Sequence, residues 1–252
     1  MGTTVEFSAS DGVGWLHLNR PDRLNAVDTT LTDDLLAGLD QARAHGVRAV
    51  VLAGRGRAFC AGHDLKEPVP VETALQTRGR LERIQDVTRG IRALDAPVIA
   101  AVHGYALGAG CEFALACDIV VAAEDAEFGF PEVSVGLSVT GGVSRLLPVL
   151  VGWAKAKDLL LLGDRVDGVE AQRIGLVART ASPGHHEDVA AELAARIASR
   201  PALSTALAKR VLDRGLDASM ESSLEREVEH AMLTAEAGAG ETARQGFSGD
   251  ER

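Results

Sequence analysis

Two glutamates, Glu112 and Glu132, stand in the stretch PVIAAVHGYALGAGCEFALACDIVVAAEDAEFGFPEV, residues 97–133, each just past a Gly-rich or Pro-marked turn. Carboxylates so placed can do acid/base work, one taking a proton or holding a water while the other delivers a proton. Gly108-Ala109-Gly110 precedes the first of them. Its small side chains let the backbone approach a ligand closely, and the apolar run 111–117 after it reads as a short buried helix. A helix N-terminus there offers unpaired N–H groups and the positive end of the macrodipole, which stabilise an oxygen gaining negative charge. Glu112 falls in the first turn of that helix, where the same field favours its ionised form. An acid at such a position is equally a plain helix-stabilising device, so the pair needs a second feature beside it.

That feature is VRAVVLAGRGRAFCAGHDLKE, residues 47–67. Residues 47–52 read as a buried strand, Gly54 and Gly56 end it, and Ala61-Gly62 leads into His63-Asp64-Leu65. Two strand-to-turn units can each aim one N–H at a single oxygen, as in an oxyanion hole, worth about 2.7–4 kcal/mol per donor.

The elements that must position these turns read as follows. Residues 13–18 alternate as a strand, and 98–102, after Pro97, form a short β-branched run too brief for a helix. A helix over 29–45 presents Leu31, Leu35, Leu39 and Ala42 on one stripe. After the Pro68-Val69-Pro70 breaker, Leu81, Ile84, Val87, Ile91 and Leu94 recur at helical spacing and read as core packing. From about residue 184 the pattern is helical, over 187–199, 202–215 and 219–237, and the polar, Gly-containing end from 238 to 252 is expected to fray.

Composition narrows the function. At 252 residues, 46% hydrophobic and 25% charged, the chain can bury one sizeable core. A net charge of −10 argues against nucleic-acid binding, which needs clustered Lys and Arg. No apolar run reaches the length of a membrane span, and no secretory leader is expected. Three cysteines, Cys60, Cys111 and Cys117, make no CxxC pair and suit a reducing, cytoplasmic setting. The histidines show no metal-binding spacing, so no metal is expected; His185-His186 reads as a solvated loop. Gly54 and Gly56 are only a fragment of a GxGxxG phosphate loop.

Four blocks, NRPDRLNAVD from Asn19, AFCAGHDLKE from Ala58, HGYALGAGCEFALACDI from His103 and FGFPEVSVGL from Phe128, resemble the enoyl-CoA hydratase/isomerase (crotonase) family in order and spacing. The resemblance runs over roughly residues 5–216 and implies an α/β fold, the crotonase-like (ClpP/crotonase) spiral of repeated ββα units, over 1–183. A C-terminal helical region, 184–252, would then serve trimerisation, giving a homotrimer or a dimer of trimers. The implied reaction is reversible syn addition of water to a 2-enoyl-CoA thioester, as in fatty acid metabolism. Coenzyme A is then part of the substrate and no separate cofactor is needed. Relatives that isomerise double bonds, or that hydrolyse or cleave specialised thioesters, commonly lack one glutamate; noncatalytic CoA- or RNA-binding relatives keep only the scaffold. Retention of both glutamates favours hydration.

Carried over residue by residue, the resemblance puts the oxyanion-hole N–H groups on His63 and Ala109, water positioning and base work on Glu112, and proton transfer on Glu132. It points to Arg23, Leu24, Ala26, Ala61, Asp64, Leu65, Lys66, Gly108 and Gly136 for CoA and acyl contacts, with Arg23 or Lys66 meeting phosphate. It also implies that the region 68–94, whose stripe reads by itself as core packing, covers the acyl pocket and partly decides substrate length. Four departures stand out. His63 replaces a small residue, so its ring is read as a pocket wall. Asp22 stands where relatives often carry a base. The tail is expected to end sooner than in many relatives, Gly246-Phe247 standing near where a longer helix with basic residues would continue. The loop GLSVTGGVSRL from Gly136 lacks a Pro-Gly step and one residue before Arg145; the hydroxyls of Ser134, Ser138 and Thr140 there read as turn and cap chemistry before a helix starting at Gly141-Gly142, or as a sign of a polar acyl group.

Overall fold

In the computed structural model, which describes residues 3–66 and 71–238, mixed strand and helix units come first and helices last. The order is β1 (Val5–Ser10), β2 (Val13–Leu18), α1 (Thr29–Ala44), β3 (Ala49–Gly54), α2 (Ala74–Ala93), β4 (Val98–Val102), β5 (Tyr105–Leu107), α3 (Ala109–Ala116), β6 (Ile119–Ala123), β7 (Glu127–Gly129), α4 (Val143–Val151), α5 (Trp153–Leu162), β8 (Arg165–Asp167), α6 (Gly168–Arg173), β9 (Arg179–Ala181), α7 (His186–Ala198), α8 (Ala202–Gly215) and α9 (Met220–Glu236). Short 3-10 turns lie at Pro21–Arg23 and Pro131–Val135.

The main sheet has the order β1-β2-β3-β4-β6-β9 and the second β5-β7-β8. Strands β2, β3, β4, β6 and β9 pair in parallel, while β1 joins β2 as an antiparallel hairpin. Its two-residue turn is Asp11-Gly12, with φ of 52 and 78°, the positive values that suit a tight hairpin. After β4 and again after β6 the chain steps at once into the second sheet, as β5 and β7, which gives the repeated ββα course.

Inner strands β3 and β4 are apolar throughout because both faces are covered. Val50, Leu52, Val98, Ala100 and Val102 join the larger core with α1, α2 and α3. Their alternates Val51, Ala53, Ile99 and Ala101 pack with Ala190, Leu193 and Ala194 of α7. Such covering is why these strands read as continuous apolar runs rather than as alternating ones. Strand β3 lies two residues later than the expected 47–52, and α3 begins at Ala109 rather than 111. The second shift matters, because it makes Ala109 the first helical residue.

Helix α1 buries the expected stripe of Leu31, Leu35, Leu39 and Ala42 and is capped by Asp28, whose side chain accepts from Leu31 N at 2.8 Å. Helix α2 opens with a capping box between Thr73 and Gln76. It buries Ile84, Val87 and Ile91, but Leu81, read as core, is 40% exposed. Leu81 instead walls a groove of about 390 Å³ together with Gln85 and Thr140. The 68–70 breaker and the chain from 239 to 252, where fraying is expected, lie outside the described residues. Among those described, no helix is long and apolar enough to cross a membrane.

The turn in NRPDRLNAVD is held by one side chain. Asn25 is fully buried at a φ of 55°, a region that Asn tolerates better than most residues. Its amide donates to Arg55 O at 3.0 Å and Ala58 O at 2.8 Å, and its carbonyl accepts from Arg20 N at 2.7 Å. Asn25→Ala removes all three bonds, leaves buried backbone groups unpaired and puts a less tolerant residue at positive φ. A loss of about 2–4 kcal/mol is expected in urea denaturation; an unchanged midpoint would show that the loop is held by other contacts.

Candidate active site

The site begins with two backbone segments packed without side chains between them. Beyond β3 the chain runs beside β5, Cys60 N donating to Tyr105 O at 2.8 Å and Leu107 N to Cys60 O at 3.0 Å. Gly110, in the first turn of α3, faces the Cys60 carbonyl so closely that a Cβ would overlap its oxygen. At Gly62 a Cβ would lie 2.8 Å from Leu107 O and 3.8 Å from Ala109 N. Gly108, at φ 50°, turns the chain into α3 while its N–H donates to Gly129 O at 2.9 Å. From the other side Val27 N donates to Gly62 O at 2.8 Å and Asp64 N to Val27 O at 2.9 Å, which fixes the peptide between Gly62 and His63.

His63 and Ala109 therefore sit on adjoining turns. As the first residue of α3, Ala109 has an N–H without an intrahelical acceptor. Among the described residues, no protein acceptor takes the N–H of His63 or of Ala109. Two free donors on neighbouring turns can serve one anionic oxygen.

Both glutamates are buried, Glu112 at 2% exposure and Glu132 at 6%. Glu112 projects from α3, and each of its oxygens takes a bond from Thr140: Oε1 from the backbone N at 2.6 Å and Oε2 from the hydroxyl at 2.6 Å. Glu132 sits on the 3-10 turn after β7, with Oε1 against Gly108, 2.8 Å from where a Cβ would stand. Its Oε2 is buried with no protein partner. Burial raises the pKa of both carboxyls, because a charge in low dielectric is disfavoured. Thr140 partly offsets this at Glu112, whereas at Glu132 the charge of Glu112 adds to the upward push. The two acids thus share one electrostatic neighbourhood but have different partners.

The hydroxyl of Thr140 does not act as the helix cap read from the sequence. Gly142 caps α4 without a side-chain bond, and only the Thr140 carbonyl meets the helix start, accepting from Val143 N at 3.0 Å. Loop geometry brings the hydroxyl onto Glu112 instead.

Substrate residues inferred from the resemblance divide by place. Leu24, in left-handed backbone, accepts from Ala61 N at 3.0 Å, and Ala26 is buried beside this junction. Arg23 and Lys66 are exposed, and Leu65 is 70% exposed. Asp64 is committed to the turn: Oδ1 accepts from Lys66 N at 3.1 Å and Oδ2 pairs with Arg20 at 3.2 Å. Gly136 makes a surface turn at φ 72°, with nothing within 4 Å of a would-be Cβ. Arg20, which the sequence reading passed over, also pairs with Asp28 at 2.8 Å and donates to Ala26 O, so it binds three parts of this wall together. Gln85 was missed as well; its carbonyl accepts from Gly141 N at 2.9 Å.

The His63 ring lines a cavity of about 430 Å³ with Val27, Thr29, Arg80, Arg83 and Ile84. Burial, then the Arg80 charge, lower its pKa and favour the neutral ring of a wall. Cys60, Cys111 and Cys117 are buried free thiols. Burial pushes Cys60 up to about 12 and raises the other two, so none is a ready nucleophile. Among the described residues, no group of three or more His, Cys, Asp or Glu side chains is placed to hold a metal.

Comparison with known proteins supplies the family. Residues 8–248 match the family model described as enoyl-CoA hydratase/isomerase. A Rhizobium meliloti protein named "Probable enoyl-CoA hydratase" is 43% identical over 174 residues; the match spans 68% of this chain and 66% of that protein, just under two thirds of its length. A Bacillus subtilis protein with the same name is 37% identical over 175 residues, 69% of this chain and 67% of its own. The crystal structure of an enoyl-CoA hydratase from Polaromonas sp. JS666 superposes with a TM-score of 0.92 at 30% identity, covering 97% of this chain and 96% of the other. One from Mycobacterium smegmatis gives 0.90 at 32%, covering 97% and 96%. With both its sequence blocks and its spiral of strand–strand–helix units accounted for, the chain belongs to the enoyl-CoA hydratase/isomerase family and has the crotonase fold.

Proposed function

We propose that the protein is an enoyl-CoA hydratase that adds water reversibly and syn across the double bond of a 2-enoyl-CoA thioester. The observation that carries this reading is the presence of two buried carboxylates, Glu112 and Glu132, beside two unpaired N–H groups on adjoining turns. A reaction using one base alone gives no reason to keep the second carboxylate desolvated.

In the mechanism, the thioester oxygen accepts from His63 N–H and Ala109 N–H. Ionised Glu112 takes a proton from a water, whose oxygen bonds to the β-carbon as the C=C electrons move onto the thioester oxygen. The enolate so formed is stabilised by the two donors. Protonated Glu132 then delivers its proton to the α-carbon as the carbonyl re-forms. Glu112 has gained one proton and Glu132 has lost one, so passing a proton between them through solvent resets the pair. The N-terminal dipole of α3 points at the same charge.

The exposed Arg23 and Lys66 support a role at the phosphates of CoA, and Leu81 with its groove supports a role beside the acyl chain. The C-terminal region, through helices α7, α8 and α9, is proposed to trimerise the protein. Exposed Met220, Leu224, Val228 and Met232 of α9 supply apolar surface for such contacts.

Three results test the reading. Separate Glu112→Gln and Glu132→Gln variants, assayed with crotonyl-CoA by loss of enoyl absorbance, are each expected to lose about 10²–10⁴-fold in kcat. Wild type that isomerises an enoyl-CoA but hydrates none would overturn it. The pH profile of kcat/KM should be bell-shaped, with an acid limb above the ordinary glutamate value of about 4.3. Stability follows from the same shifts. The folded state binds these protons more tightly than the unfolded chain, so their contribution is complete below the ordinary glutamate range and is lost as pH rises through the raised values. Glu132→Gln should accordingly raise Tm at pH 8 and change it little at pH 4; a lowered Tm at pH 8 would contradict the desolvation account.

A further inference from the structure

The loop after Glu132 places Thr140 against Glu112, and the surrounding contacts hold it there from two directions. Gly141 N–H reaches back to Gln85 Oε1 of α2 at 2.9 Å, while Gly141 itself, at φ 58°, lies so near α3 that a Cβ would stand 2.7 Å from Glu112 Cβ. The loop is thus tied to α2 through Gln85 and to α3 through Glu112. Because Oε1 takes the Thr140 N–H and Oε2 its O–H, the carboxylate plane is fixed by two short bonds from one residue. A single donor would leave that plane free to turn.

We propose that Thr140 is a positioning residue, its N–H and hydroxyl together clamping both oxygens of Glu112 and aiming the carboxylate at the water it activates. The aiming role rests on the hydratase reading; the clamp itself does not. Two donors also favour the ionised form, which is the form a base needs. Burial and the two Thr140 bonds set the Glu112 carboxyl, and its charge in turn pushes up Glu132 on the 3-10 turn, Cys111 of α3 and Cys60 on the segment beside β5. Glu82 and Arg78 of α2 stand along the Thr140 groove. None of these donates to Glu112, so the hydroxyl is the side-chain donor that substitution can remove.

Thr140→Val keeps the branched shape and the backbone N–H and removes only the hydroxyl; Thr140→Ala removes it without a second methyl should valine disturb packing. Two readouts decide the matter. In NMR titration of ¹³C-carboxyl-labelled glutamate, with the Glu112 signal identified by its absence in Glu112→Gln, the Glu112 midpoint should rise by about one pH unit or more on loss of a hydrogen bond to a charged group. In the crotonyl-CoA assay, kcat should fall about 10–100-fold with KM within about twofold, the acid limb should move up with the midpoint, and Thr140→Ser should restore both. An unmoved midpoint overturns the clamp, whether kcat is unchanged or falls together with a rise in KM. Wild type that hydrates no enoyl-CoA would sink the hydratase reading alone, since the titration still decides the clamp.

Discussion

Residues 60–63 and 107–110 approach each other so closely that side chains are excluded, and the rest of the site depends on this contact. Gly110 must lie on the Cys60 carbonyl and Gly62 beside Ala109 N for two N–H groups to share a neighbourhood. Such proximity follows from the sheet. Because β3 and β4 pair in parallel, the chain leaves both at the same edge, where ligands of open parallel sheets commonly bind, and there Cys60 pairs alongside β5, which leads into 107–110. The covering of those strands on both faces, by α1–α3 and by α7, gives the edge the rigidity that donors aimed at a reaction centre require.

Around that contact two carboxylates are held at an electrostatic cost. Burial alone would push both toward the protonated form, and two neutral acids could not activate water. Different partners break the symmetry. Glu112 has both oxygens bonded by Thr140, whereas Glu132 has a buried oxygen without a protein partner and feels the charge of Glu112. Environments that separate the proton affinities of two like groups are how an acid and a base are made from the same residue type.

Much of this was legible in the sequence. The stripe of α1, the alternating strand at 13–18 and the three C-terminal helices follow from periodicity, because packing on a core imposes it, while the strand at 98–102 shows as a short continuous apolar run because both its faces are covered. Strands β5, β7, β8 and β9 are three residues long, too short to show a period. The Asp11-Gly12 hairpin carried a turn signal that went unread. Resemblance led to Glu112, Glu132, His63 and Ala109, but the closeness of the two turns is a long-range fact that no local pattern contains. Leu81 misled because a residue walling a groove has the same spacing as one in the core. Arg20, through Asp64, and Gln85, through Gly141, act on partners distant in sequence, as does the Thr140 hydroxyl, which local reasoning assigned to a cap.

The central claim is that the His63 and Ala109 N–H groups together polarise a thioester carbonyl. Isotope-edited infrared difference spectroscopy tests it most directly, using a saturated acyl-CoA labelled with ¹³C at the thioester carbonyl so that no reaction intervenes. On binding, the carbonyl stretch should move to lower frequency than in water, as two aligned donors draw charge onto the oxygen. A bound carbonyl whose stretch matches the value in water, or lies above it, would contradict the account.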